Sequence, residues 1–103
     1  MMDEKYIYTV TVFEDLDESY GLKGRSRCFG YYNNFDLADK TVRTNATDIN
    51  ECTYTYAVIE KVSEGLVPCN KNRWFYKFDY EEREYYPIPE PKELEHYCNF
   101  GIG

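Results

Sequence analysis

The stretch Cys52-Thr53-Tyr54-Thr55-Tyr56-Ala57-Val58-Ile59-Glu60-Lys61-Val62 decides how this chain is read. It is dense in β-branched and aromatic residues and has neither Pro nor Gly, which predicts a strand over Cys52 to Val62. On a pleated strand Tyr54, Tyr56, Val58 and Val62 line one face, and Thr55, Ala57, Ile59 and Lys61 the other.

The same signal recurs on both sides. Downstream, Glu64-Gly65 turns the chain, and after Pro68 and Asn70 a strand is expected from Arg73 to Tyr80. There Trp74, Tyr76, Phe78 and Tyr80 share a face against Phe75, Lys77 and Asp79. Glu81-Glu82 reads as a turn into a short strand, Glu84 to Ile88. Pro87, Pro89 and Pro91 end that strand, and Pro91 suits the first turn of a last short helix. Its apolar stripe is Pro91, Leu94, Tyr97 and Cys98. The tail Asn99-Phe100-Gly101-Ile102-Gly103 carries two apolar residues and is expected to dock.

Upstream, Tyr6 to Phe13 reads as a strand with β-formers on both faces, hence an interior strand. An acidic loop follows from Glu14 to Glu18, with Gly21 and Gly24 as turn residues. Arg25 to Tyr32 is a second strand, paired antiparallel with the first, and Gly30 marks a bulge or a close backbone approach. Asn34 is the expected N-cap of a helix with Asp36 in its first turn. Phe35, Ala38, Val42, Ala46 and Ile49 form its apolar face, with Asn45 and Asn50 as candidate end points. Asp36 with Lys40, and Asp39 with Arg43, are i,i+4 pairs on the wet side. The expectation is a single α+β domain over 1–103. Its antiparallel sheet has about five strands in the order ββαβββ, with one main helix on a face and a short C-terminal helix.

Bulk properties exclude some functions. The 103 residues carry a net charge of −7, and the pI is about 4.7. Direct DNA or RNA binding needs a basic face, and anionic membranes would repel the chain. The charge suits a basic protein partner, although plain solubility is the commoner reason for such a charge. Aromatic residues make up 18%, with 12 Tyr, 6 Phe and 1 Trp. One small core cannot enclose them all, so some rings are expected at the surface or at an interface between copies, as in a homo-oligomer. No apolar run reaches membrane-spanning length, and Met1-Met2-Asp3-Glu4-Lys5 lacks the basic and apolar pattern of a signal peptide, so none is expected. The expected location is cytoplasmic, with Cys28, Cys52, Cys69 and Cys98 reduced and buried as small apolar residues.

Familiar chemistry is scarce. One His and no metal-spaced cysteines argue against a zinc site. Asp15, Asp17 and Ser19 start like a calcium loop, but Tyr20 and Ser26 stand where Gly and Glu are needed. No metal and no cofactor are expected. His96 with a Cys would be the constellation of a small Cys/His-dependent enzyme, yet His96 falls off the predicted apolar stripe. Glu14/Asp15/Asp17/Glu18 and Glu81/Glu82/Glu84 are carboxylate runs of the solvated kind. No Gly-rich phosphate loop is present, and no catalytic residue is assigned. Two aromatic–arginine groupings are more informative: Arg25, Arg27, Tyr31 and Tyr32 on one strand, and Arg73, Trp74 and Tyr76 on another. Such sets can stack a base and hold a phosphate through a guanidinium fork. Cross-strand packing with Arg laid over a ring gives the same pattern and is the commoner arrangement in sheets.

Three stretches carry a resemblance: Ser26-Arg27-Cys28-Phe29-Gly30-Tyr31-Tyr32; Tyr56-Ala57-Val58-Ile59-Glu60 with Gly65-Leu66; and Trp74-Phe75-Tyr76-Lys77 leading to Tyr86-Pro87-Ile88 and Asn99-Phe100-Gly101-Ile102-Gly103. The chain resembles a family of small uncharacterised proteins from Firmicutes and their phages and mobile elements. The resemblance implies a genomic setting among accessory proteins and assigns no activity or site residue. The resulting expectation is a non-enzymatic viral or mobile-element protein that antagonises bacterial defence by sequestering a small nucleotide-type ligand. The expected contacts are Arg25, Arg27, Tyr31, Tyr32, Arg73, Trp74 and Tyr76. The alternatives are an acidic inhibitor that blocks the nucleic-acid groove of a defence nuclease, and the Cys/His enzyme.

Overall fold

The computed structural model describes residues 6–17, 21–63 and 72–94. The elements run β1 (Tyr6–Asp17), β2 (Gly21–Tyr32), α1 (Phe35–Arg43), a 3-10 turn (Ala46–Asp48), β3 (Tyr56–Ser63), β4 (Arg73–Asp79), β5 (Glu84–Ile88) and a 3-10 turn (Lys92–Leu94). The five strands form one antiparallel sheet in the order β2-β1-β3-β4-β5. The α+β class, the antiparallel five-strand sheet and the single main helix agree with the sequence reading.

Register explains the core. Val12, Ala57 and Tyr76 stand side by side across β1, β3 and β4, and Val10, Ile59 and Trp74 form the next row. Below α1 these rows bury Val10, Val12, Ala57, Ile59, Tyr76, Phe78 and Tyr85 together with Ala38, Val42, Ile49 and Tyr54. On the opposite face Phe13, Val58 and Phe75 pack with Leu94, which is fully buried. Each large apolar side chain buried this way contributes about 1.5–3 kcal/mol. The helix begins as expected: Asn34 Oδ1 accepts from the backbone N–H of Asp36 at 2.7 Å and of Leu37 at 3.3 Å.

Several boundaries differ from the sequence reading. The acidic segment after Phe13 is strand, not loop, because β1 continues to Asp17 beside β2. Past Phe13 the β1–β2 hairpin has no β3 ladder partner, and Asp15 there is exposed. The register shifts twice along the hairpin, once beside Gly30 and once beside Gly24, which sit at φ +143° and φ +84°. An L side chain is strained in both conformations. The helix ends at Arg43, where the Thr44 hydroxyl donates to the Lys40 carbonyl at 2.7 Å. Ile49 still reaches the core, but from the following loop.

That loop also delays β3, which starts at Tyr56 rather than Cys52. Asn45, Thr47, Asp48, Glu51 and Cys52 all have positive φ. Such backbone costs on the order of 1 kcal/mol or more per residue, and the surroundings must hold it. Asn50 does so from a buried position. Its N–H donates to Asn45 Oδ1 at 2.9 Å, its Oδ1 accepts from Cys52 N–H at 2.9 Å, and its Nδ2 donates to the Tyr54 carbonyl at 2.7 Å. Tyr85 Oη donates to the same carbonyl at 2.6 Å. Tyr80 stands in the β4–β5 turn and not on the strand, since the Asp79 side chain accepts from the N–H groups of Glu81 and Glu82. Of the expected C-terminal helix the described residues hold the Lys92–Leu94 3-10 turn, and Tyr97, Cys98 and the tail lie outside them. Asn50→Ala keeps the backbone N–H bond but removes the two side-chain bonds from a strained loop, and is expected to lower the unfolding free energy by about 2–3 kcal/mol, measured by urea denaturation.

Candidate functional site

The helix α1 lies across the sheet with Ala38 and Val42 turned down, both fully buried. Small residues there let the helix sit close, and two tyrosine hydroxyls fix it sideways. On the β2 side Thr41 Oγ1 donates to Tyr32 Oη at 2.7 Å. On the β4 side Tyr76 Oη donates to Asp39 Oδ1. Burial, reinforced by the Asp39 carboxylate, pushes the Tyr76 hydroxyl well above the ordinary tyrosine value of 10.0. Burial does the same to Tyr85.

Outside Tyr76 a groove of about 370 Å³ opens between α1 and the β4–β5 edge. Its walls include Phe35, Asp39 and Arg43 from α1, Arg73, Trp74 and Tyr76 from β4, and Pro87 and Glu90 beyond. The groove exists because β5 stops early. Ile88 pairs with Phe75, and neither Trp74 nor Arg73 has a β5 partner. Trp74 therefore stays 37% exposed, with the Phe35 ring 4.6 Å away and Tyr8 at 6.3 Å.

The two guanidiniums on this groove differ. Arg73 has only 5% of its side chain exposed; its Nε donates to Glu90 Oε1 at 2.7 Å and its Nη2 to the Leu94 carbonyl at 3.3 Å. It works as a tie between β4 and the segment that crosses the second face. Arg43 is 49% exposed, and its Nε lies 2.9 Å from both Asp39 carboxylate oxygens. Its Cζ stands 5.9 Å from the Tyr76 ring centroid. The i,i+4 pair forms as expected, with Arg43 exposed, and it also borders the groove and engages Tyr76.

The residues named from sequence are thus divided. Trp74, Tyr76 and Arg73 meet at the groove. Tyr31 and Tyr32 line a separate hollow of about 240 Å³ on the other flank of α1, with Thr41, Thr47 and Ile49. Arg25 and Arg27 border neither. Arg25 pairs with Glu14 at 3.3 Å, and Arg27 pairs with Glu51 at 2.9 Å while lying 4.5 Å from the Phe29 ring centroid. Arg27 thereby latches the hairpin to the loop before β3, while Arg25 ties β2 to β1. Glu14 joins in: the Thr53 hydroxyl, the Arg25 N–H and the Arg25 guanidinium all bind its carboxylate and hold it below the usual carboxylate value. Sequence reading missed Phe35, Asp39 and Arg43 as site residues. Their only signal was helical spacing, which says nothing about the strand they face.

Cys28 is half-buried and Cys52 is exposed, so Cys52 is not the small core residue expected. Cys69, Cys98, His96 and Ser19 lie outside the described residues. Among the described residues no group of three or more His, Cys, Asp or Glu side chains is placed to hold a metal ion, and no helix is long and apolar enough to cross a membrane. Comparison with family models, with curated proteins and with solved structures yields no match for this chain.

Tyr76→Phe removes the donor to Asp39 and is expected to cost about 1–2 kcal/mol in urea unfolding. A raised tyrosine pKa stabilises the fold fully below the unfolded value and loses that contribution as pH rises. Stability is therefore expected to decline above pH 10, the ordinary tyrosine value. The decline should be shallower in Tyr76→Phe, read from unfolding midpoints across the alkaline range.

Proposed function

We propose that this chain is a non-enzymatic binding protein that captures a small nucleotide-type ligand, with the ligand ring against Trp74 in the groove between α1 and β4. One observation carries the reading. The single tryptophan of the sequence is 37% exposed beside Phe35, in a groove bordered by guanidinium groups. Stacking a base on an exposed aromatic ring contributes about 1–3 kcal/mol and is tolerant of base identity. In the setting that the resemblance implies, phages and mobile elements, removing a nucleotide signal would antagonise a host defence response. The interior of the sheet is filled, so the ligand lies on the surface of one protomer or against a second copy.

A second reading draws on a different surface. Glu81, Glu82 and Glu84 are exposed at the β4–β5 turn, and the chain carries a net charge of −7. This end would suit an acidic inhibitor of a basic nucleic-acid groove.

Because Trp74 is the only tryptophan, its fluorescence reports on the groove alone. Titration with nucleosides and nucleotides is expected to quench it saturably, and calorimetry on Trp74→Ala should show affinity reduced at least about ten-fold. Absence of saturable binding across the panel would remove ligand capture. Activity in cells that survives Trp74→Ala but is lost when Glu81, Glu82 and Glu84 are together changed to Lys would favour the inhibitor.

A further inference from the structure

We infer that the groove selects a ring-bearing ligand with one singly charged oxyanion, and that Arg43 is its anchor; this rests on the ring-capture reading above. An arginine has five N–H donors in a planar fork. Arg43 commits its Nε to Asp39, and its terminal amino groups make no hydrogen bond among the described residues. The Asp39 carboxylate is itself fixed by the Tyr76 hydroxyl, so the guanidinium is oriented before any ligand arrives. An oxyanion bound by the two terminal amino groups has the bidentate geometry that arginine suits and lysine does not. Arg73, the other guanidinium on the groove, is tied to Glu90 and Leu94 with 5% of its side chain exposed.

The charge limit comes from the surroundings. Asp39 and Glu90 stand on the groove itself. The hollow on the far side of Arg43 is lined by Asp79, Glu82 and Glu84. One ligand charge is met by Arg43; further charges meet these carboxylates and a chain of net charge −7. The volume of about 370 Å³ is at the low end for small-molecule sites and suits a mononucleotide-sized molecule. A phosphodiester on a nucleoside and a carboxylate on a simple aromatic ring share this chemistry.

Two pairs of probes separate the sources: adenosine with adenosine 3′,5′-cyclic monophosphate, and phenylacetamide with phenylacetate. ATP serves as the polyanion. In calorimetry the charged member of the pair that binds should be about ten-fold tighter than its neutral partner. ATP should bind more weakly than the cyclic diester. In Arg43→Gln the charged-to-neutral ratio should fall to about one. Arg43→Lys keeps the charge but not the fork, and should give an intermediate ratio; urea midpoints show that both variants fold. Equal binding of neutral and charged partners, tightest binding by ATP, or a ratio that persists in Arg43→Gln would overturn the inference while leaving ring capture standing. Binding by neither pair would remove both.

Discussion

The close seat of α1 on the sheet is the contact from which the rest of this molecule is organised. Ala38 and Val42 are fully buried against the rows made by Val10, Val12, Ala57 and Ile59. A larger residue at position 38 would lift the helix, and both tyrosine hydroxyl bonds to it would lengthen. Those bonds run in opposite directions across the sheet, Tyr32 to Thr41 on one flank and Tyr76 to Asp39 on the other. Interiors are close-packed, so a helix held at such a seat has one position rather than several. The groove and the smaller hollow are the spaces left on its two flanks.

The groove also depends on what is missing beside β4. β5 spans only Glu84–Ile88, and Pro89 follows it. Proline gives no ladder donor, so the sheet edge ends there and the Trp74 side of β4 is left uncovered. Arg73 then closes the other side by binding Glu90 and the Leu94 carbonyl, which pins the crossing segment onto Phe13, Val58 and Phe75. One strand end therefore serves two faces: an open aromatic wall under α1, and a sealed core behind it.

At the far end of the sheet the arginines of β2 have structural work. Arg27 connects the hairpin to the loop before β3 through Glu51, and Arg25 holds Glu14, which accepts from Thr53 of the same loop. That loop has positive φ at Asn45, Thr47, Asp48, Glu51 and Cys52. Asn and Asp tolerate the left-handed region better than other residues, but Thr, Glu and Cys do not. The strain persists because the buried Asn50 and the hydroxyl of Tyr85 hold the backbone around Tyr54.

Local pattern was enough for the strands, their antiparallel pairing at the first hairpin, the Asn34 cap and the apolar stripe of α1. Each is written within a few residues of itself, in side-chain periodicity or in a cap that bonds its own helix. The same pattern misplaced the start of β3 and the end of β1, because left-handed backbone at Glu51 and Cys52 and a hairpin that outruns its neighbour leave no periodic mark. It also grouped Arg25, Arg27, Tyr31 and Tyr32 by nearness along the chain. In space Arg43, Asp39 and Phe35 stand beside Trp74 and Tyr76, more than thirty residues away in sequence. That juxtaposition follows only from how α1 lies over β4, and helix placement is settled by packing across the sheet, not by any signal within the helix.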